Sequence, residues 1–373
     1  MKVLVVLGTR PEVIKLAPVI AALRPVVETV VCATGQHKEM LSQALEFFDI
    51  KPDILLDTMS PGRSLNVLAS RLLMEMDGVL ERQCPDWVVV QGDTTTACCA
   101  GLAAFHRGIP VAHVEAGLRT GDLANPFPEE ANRRLLGQIA SRHFAPTPRA
   151  RDCLLNEGID AASIFVTGNT VVDAIMLARR TWTQLPPALE RAGWLGTEPR
   201  HILVTCHRRE NFGETLSGIC GVLRRLCERY ADHRWVFPVH LNPAVREPVM
   251  RELGEVPNLV LMEPVDYASS LYLISKSVLV LSDSGGIQEE APTFGVPVVV
   301  MRSHTERQEG VDAGFATLAG QTPERIEQAA SAWLDDPMRR AALRDRANPY
   351  GDGRAAERIV ANLVGEAVEV FSD

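Results

Sequence analysis

The sequence predicts an α/β protein made of two doubly wound, Rossmann-like parallel-sheet domains facing a cleft. Three observations carry this. Short β-branched apolar runs alternate with longer amphipathic stretches, the pattern of strand and helix in turn. The runs are apolar almost throughout, as strands covered on both faces are. They also fall into two sets, separated by Thr181–Arg200, a stretch that mixes Pro, Gly and charge and has no strand pattern.

In chain order the first set reads Val3–Leu7, Thr29–Ala33, Trp87–Gln91, Val111–Glu115, Arg142–Ala145 and Ile164–Val166. The second reads Ile202–Cys206, Trp235–Val239, Leu259–Met262, Val278–Ser282, Val296–Met301 and Phe315–Leu318. A chain of 373 residues is long enough for two cores. No solenoid repeat and no low-complexity tract interrupts the pattern.

Composition narrows the function classes. Apolar residues make up 46% and charged residues 23%, the balance of a folded globular protein. The net charge of −9 comes with no basic run, which argues against a nucleic-acid or anionic-membrane binder. An anionic ligand therefore needs a local site. The eight cysteines have no C-x-x-C spacing and lie mostly in apolar segments, so they read as small buried hydrophobes. The N-terminal apolar stretch is short and runs straight into Thr9-Arg10-Pro11, so it reads as a first strand rather than a signal peptide. The expected location is cytoplasmic.

Ligands of open α/β sheets bind beyond the carboxyl ends of strands, and the polar, Gly-rich segments fall there. Gly8-Thr9-Arg10-Pro11-Glu12 opens a helix whose first N–H groups favour anions, with Arg10 and Lys15 to add positive charge. A plain βα turn explains the same residues equally well. Ser284-Gly285-Gly286 follows an apolar run and precedes Glu289 and Glu290. Two glycines let the backbone approach a diphosphate, and Glu290 is placed to accept from a ribose. This assigns the nucleotide to the second domain.

Asp93, Glu115, Glu129 and Glu130 lie at strand ends or in a loop of the first set, and His207-Arg208-Arg209-Glu210 ends a strand of the second. Each carboxylate alone reads as a cap or a solvated side chain. Grouped carboxylates and cations push one another's pKa values apart, as general acid–base chemistry needs. His106 and His240 have no partners at metal-ligand spacing, and no G-x-G-x-x-G follows the first run. No cofactor, dinucleotide or metal, is expected.

Taken together, GTRPEVIKLAPVI, TGQHKEML, QGDTTT, HVEAGLRTGD, PFPEEANRRL, TGNTVVDA, HRRENFG, PVHLNPAVREPV, SDSGGIQEEAP, MRSHTERQEGV and NPYGDGRAAERI resemble the non-hydrolysing UDP-N-acetylglucosamine 2-epimerases, in order and over nearly the whole chain. The resemblance implies the GT-B architecture. Residues 1–170 would form the first domain, with the last helix, 354–373, packing back on it. Residues 171–353 would form the nucleotide-binding domain, and Asn348–Gly353 the crossover.

It also implies a reaction without redox cofactor or metal: UDP leaves C1 as a base removes the C2 proton, giving 2-acetamidoglucal, and UDP re-adds as a proton arrives on the opposite face. Asp93, Glu115 and Glu129 match the catalytic carboxylates, with His207 near the leaving phosphate. Arg10, Lys15, Ser284, Gly285, Gly286, Glu290 and Arg307 match nucleotide contacts, and Gln36 with Arg63 would line an allosteric UDP-sugar pocket. Val265 and Ser270 depart from the Gln and Phe that some members carry near the uracil, and Cys206 from a Gly. A homodimer is implied as well. The alternatives are a hydrolysing epimerase, an epimerase of a further modified UDP-amino sugar, a GT-B glycosyltransferase and a non-catalytic UDP-sugar sensor.

Overall fold

The computed structural model describes residues 1–35, 38–58, 64–179, 184–191, 201–367 and 369–372. The chain divides into two units, Met1–Leu177 with Tyr350–Asp373, and Ala178–Pro349. Each is built on one parallel sheet with helices between successive strands, as the apolar runs predict.

The first sheet has seven strands in the order β3-β2-β1-β4-β5-β6-β7. They are β1 (Lys2–Leu7), β2 (Glu28–Ala33), β3 (Ile54–Leu55), β4 (Trp87–Gln91), β5 (Val111–Val114), β6 (Arg142–Ala145) and β7 (Ile164–Val166). β1 shows why such a run must be apolar at every position. Val3, Val5 and Leu7 enter a core shared with Val13, Leu16 and Ile20 of the helix Arg10–Leu23 and with Ile359 and Leu363 of the helix Ala355–Leu363. Leu4 and Val6 enter the core on the other face, with Met76 of the helix Leu65–Gln83 and Ala100 of the helix Thr95–His106. β3 escapes the sequence reading because it is two residues long at the sheet edge, with Leu55 exposed.

The chain returns to the first unit at Tyr350. Its carbonyl accepts the Asn169 N–H at 2.7 Å. Asp173, in the helix Thr170–Leu177, accepts from the N–H groups of Ala355 and Ala356 at 3.3 and 2.8 Å. Burial lifts the Asp173 carboxyl to about 6 against those donors.

The second sheet has six strands in the order β10-β9-β8-β11-β12-β13. They are β8 (His201–Thr205), β9 (Arg234–Pro238), β10 (Leu259–Met262), β11 (Ser277–Ser282), β12 (Val298–Val300) and β13 (Ala316–Leu318). Ile202 and Val204 of β8 pack with Leu216, Ile219 and Leu223 of the helix Glu214–Arg229. Leu203 packs on the other face with Leu273 and Ile274 of the helix Tyr267–Lys276. Cys32, Cys98, Cys99, Cys206, Cys220 and Cys227 are buried in these cores. Among the described residues no helix is long and apolar enough to cross a membrane.

Both sheets reverse their strand order once, between β1 and β4 and between β8 and β11. The carboxyl ends of the strands at such a switch point are where doubly wound sheets bind ligands.

Just past β5 the backbone is tight. Gly117 has a φ of 93°, and a Cβ added there would lie 2.2 Å from the Ala150 carbonyl oxygen. Both the left-handed backbone and the clash forbid a side chain. Gly117→Ala is expected to destabilise the first unit by about 2 kcal/mol or more. A urea midpoint equal to that of the wild type would contradict this.

Candidate active site at the strand ends

In the first unit the turns after β1, β4 and β5 meet. Thr9 caps the helix Arg10–Leu23, and Glu12 one turn in reaches back to it, a Thr-x-x-Glu capping arrangement. Glu12 Oε2 accepts from the N–H groups of Gly8 (3.0 Å) and Thr9 (2.7 Å) and from Thr9 Oγ1 (2.8 Å). Its Oε1 accepts from Thr94 Oγ1 at 2.7 Å, so one carboxyl ties the first turn to the Asp93-Thr94 turn across the switch point. Burial lifts the Glu12 carboxyl from its ordinary 4.5 to about 7, outweighing these donors. The N–H groups of Gly8 and Thr9, just before the helix, are thus occupied. Arg10 opens the helix and is half-buried.

Glu115 sits at a φ of 63°, left-handed for a residue with a side chain. Such strain costs about 1–3 kcal/mol and persists only where the surroundings hold it. Here they do. Lys15 Nζ and Gln91 Nε2 each donate to one Glu115 oxygen, and Asn169 Nδ2 donates at 3.2 Å to the oxygen that Lys15 takes. Lys15 and Glu115 are both nearly buried, so the sequence-assigned nucleotide contact Lys15 is the counter-ion of Glu115.

Asp93 follows Gly92, whose φ of 70° turns the chain out of β4. Thr94, not Asp93, caps the next helix, accepting from Ala97 N at 3.0 Å. The Asp93 carboxylate is left for Arg133, whose Nε and Nη2 lie 2.8 and 2.6 Å from Oδ2. Arg133 also donates to the fully buried Glu130 at 3.2 Å, and Asn132 Nδ2 donates to the Asp93 carbonyl at 2.8 Å. Arg133, Asn132 and Glu130 all belong to the helix Glu129–Ile139. Glu129 and Glu130 were placed in a loop by the sequence reading because Pro126 and Pro128 precede them; they form the first turn of that helix instead. Glu129 is half-buried and has no hydrogen-bond or ion-pair partner among the described residues. Beneath these turns, His113 Nε2–H donates to the Gly92 carbonyl at 2.7 Å, and burial pushes the His113 imidazole down to about 4.

In the second unit the turns after β8 and β11 meet in the same way. Asp283 follows β11 and is wholly buried. Its Oδ2 accepts from the N–H groups of His207 (2.9 Å) and Arg208 (2.8 Å) and from Asn211 Nδ2 (2.9 Å). His207 itself is exposed, and its ring stacks on His240 with centroids 6.2 Å apart. Burial, with the His207 charge beside it, lowers the His240 pKa.

Ser284 caps the short helix Gly285–Glu290. The Arg307 guanidinium takes the space of a Gly285 side chain: a Cβ there would lie 2.6 Å from Arg307 Cζ. Arg307 Nε donates to Glu289 at 2.7 Å, and Nη1 donates to Glu306. Glu290 is buried at the end of the same helix. Arg302 bridges Glu210 and Glu306 at 3.1 and 3.2 Å. Burial, with the Arg302 charge, lowers the Arg208 pKa.

The structure therefore brings Arg10, Lys15, Asp93, Glu115 and Glu129 to the strand ends of the first sheet. It brings His207, Ser284, Gly285, Gly286, Glu290 and Arg307 to those of the second. Gln36 and Arg63 lie outside the described residues. Sequence reasoning assigned no role to Glu12, Gln91, Arg133, Asn169 or Asp283. The signals for three of them were in plain view: Thr9-x-x-Glu12 is a capping box, Gln91 ends an apolar run, and Asp283 precedes the glycine turn.

Acid–base and cationic side chains gathered at the carboxyl ends of two parallel sheets define an α/β enzyme of small-ligand chemistry. The family model for UDP-N-acetylglucosamine 2-epimerase matches residues 21–364. A probable UDP-N-acetylglucosamine 2-epimerase of Ralstonia nicotianae is 48% identical, covering 96% of this chain and 97% of that protein. The UDP-N-acetylglucosamine 2-epimerase of Escherichia coli strain K12 is 46% identical, covering 99% and 100%. The crystal structure of the Neisseria meningitidis UDP-GlcNAc 2-epimerase bound to UDP-GlcNAc superposes with a TM-score of 0.91 at 44% identity, covering 98% of this chain and 100% of that one. This chain belongs to the UDP-N-acetylglucosamine 2-epimerase family.

Proposed function

We propose that this chain interconverts UDP-N-acetylglucosamine and UDP-N-acetylmannosamine by the non-hydrolysing route. The observation that carries the reading is the set of carboxylates at the strand ends of the first sheet, each in a different electrostatic setting. Asp93 is paired with Arg133 yet partly exposed. Glu115 is pinned by Lys15, Gln91 and Asn169. Glu129 is half-buried, with no partner among the described residues. A sensor of an anionic nucleotide gains nothing from these carboxylates, whereas two proton transfers at one carbon require them.

In the proposed reaction the C2 hydrogen leaves as a proton to a carboxylate. The C1–O bond breaks with its electron pair on the departing diphosphate, and C1 and C2 become doubly bonded. UDP then re-adds at C1, and a proton returns to C2 from the opposite face. Asp93 and Glu129, with carboxylates open to solvent exchange, are the proton-transfer groups in this reading, and Glu115, pinned by Lys15, is a fixed charge. Arg10 and His207 offset the charge of the leaving diphosphate. The Ser284-Gly285-Gly286 turn and Arg307 hold UDP, with Glu290 on the ribose. A homodimer and a cytoplasmic location belong to the same proposal, supported by the family and by the composition of the chain.

Turnover of UDP-N-acetylglucosamine in D₂O is expected to place deuterium at C2 of the epimerised product. Small amounts of 2-acetamidoglucal and UDP should accumulate on long incubation. Product that keeps its original C2 hydrogen would overturn the elimination route, and free N-acetylmannosamine as the main product would identify the hydrolysing branch.

A further inference from the structure

We propose that Asp283 is the positioning residue of His207, fixing its Nδ1–H tautomer. The catalytic part of this rests on the function proposed above; the pairing does not. Asp283 Oδ2 is saturated by the His207 and Arg208 N–H groups and by Asn211 Nδ2, which fixes both the carboxylate and the backbone that carries His207. The other oxygen is left over. Asp283 Oδ1 is buried and has no hydrogen-bond partner among the described residues, and His207 Nδ1 lies 3.2 Å from it. At that distance the two form an ion-pair contact short of hydrogen-bond alignment, which a small rotation of the exposed imidazole closes.

A buried acceptor-only oxygen requires a donor, and the His207 imidazole nitrogen lies within reach. The proton then resides on Nδ1, and Nε2, on the opposite side of the ring, is left to exchange protons or to donate to a leaving oxygen. Burial alone would raise the Asp283 carboxyl, but His207 and the two N–H groups hold it at about 2, so it stays charged wherever an imidazole titrates. The stacked His240 ring, from beyond β9, and the Arg208 guanidinium, whose Nε donates to the Asp283 carbonyl at 3.1 Å, lie beside the pair. The position also explains why Asp283 stands immediately before the Ser284-Gly285-Gly286 turn: the residue that follows β11 ties the imidazole to the turn assigned to phosphate.

The test is Asp283→Asn in the full chain, which keeps an acceptor oxygen and the volume but removes the charge. Two-dimensional NMR of ¹⁵N-labelled histidine, assigned with His207→Gln, should show His207 as the Nδ1–H tautomer in the wild type. In Asp283→Asn the three donors keep the amide oxygen and the NH2 group faces the ring, so His207 should change to the Nε2–H tautomer. A His207 tautomer unchanged in a variant that keeps the wild-type melting temperature would overturn the pairing. In turnover of UDP-N-acetylglucosamine, kcat should fall about tenfold or more while KM changes little. The double variant Asp283→Asn/His207→Gln should be no slower than His207→Gln alone, because Asp283 acts through the ring. An equal loss in both backgrounds would show that Asp283 works independently of His207 and would overturn the proposal. Should the chain leave UDP-N-acetylglucosamine unchanged, the proposed function fails, and the NMR tautomer assignment still decides the pairing.

Discussion

Asp93→Asn is expected to lower kcat by roughly 10²- to 10⁴-fold with little change in KM, and Glu129→Gln to fall in the same range. The two residues are joined through one helix. Arg133 holds the Asp93 carboxylate from the second turn of the helix that Glu129 opens, and it is itself anchored by the buried Glu130. Asparagine leaves that scaffold standing. Its amide oxygen still accepts from Arg133, and the Asp93 carbonyl still takes the Asn132 amide. What disappears is a group that takes up and returns a proton, so the loss belongs in the chemical step rather than in binding. Arg10→Ala and Glu290→Ala, by contrast, should act mainly on nucleotide engagement. Steady-state rates with UDP-N-acetylglucosamine separate the two patterns. Near-normal turnover in Asp93→Asn would remove Asp93 from the proton transfers.

The same helix shows what sequence reading reached and what it missed. Apolar runs such as Val3–Leu7 and Trp87–Gln91 were legible as strands because each residue but Gln91 has a hydrophobic face to fill, one way or the other. Asp93 and Glu115 were legible because they stand at the ends of such runs. Their partners were not. Arg133 is forty residues from Asp93, Asn169 is fifty-four from Glu115 and Asp283 is seventy-six from the His207 N–H, and no local pattern encodes which side chain closes such a gap. The start of the helix at Glu129 was also hidden, since Pro126 and Pro128 read as turn residues and not as a helix entrance. Lys15 also has a partner the sequence did not show: it pairs with Glu115, a hundred residues away.

Once the partners are known, a common device emerges. In each unit one buried carboxyl bridges the two turns at the point where strand order reverses: Glu12 joins the turns after β1 and β4, and Asp283 joins those after β8 and β11. The two differ in charge. Asp283 faces an imidazole and is held at about 2, whereas Glu12 faces only neutral donors and burial lifts it to about 7. A carboxyl bridging two turns through neutral donors does its work in either protonation state, but it makes the first unit sensitive to pH.

The sign of that sensitivity is set by the direction of the shift. The Glu12 carboxyl has a folded pKa of about 7, above the ordinary 4.5 of an unfolded chain. Between those values the folded state holds a proton that the unfolded state has lost. The stabilising contribution is therefore complete below pH 4.5 and is lost as pH rises through about 7. The full swing is on the order of 3 kcal/mol. Glu12→Gln keeps an oxygen to accept from Gly8 and Thr9 and an amide to face Thr94, but it does not titrate. The variant is expected to match or trail the wild type near pH 5 and to gain on it steadily toward pH 8. The check is a pair of urea denaturation series for the two proteins at pH 5, 6, 7 and 8, compared as a difference at each pH so that every other titrating group cancels. Parallel stability profiles would show that Glu12 is ionised in the folded protein across the whole range. Such parallel profiles would put the folded pKa at or below the ordinary 4.5 and make the four donors, not burial, the controlling influence on this carboxyl.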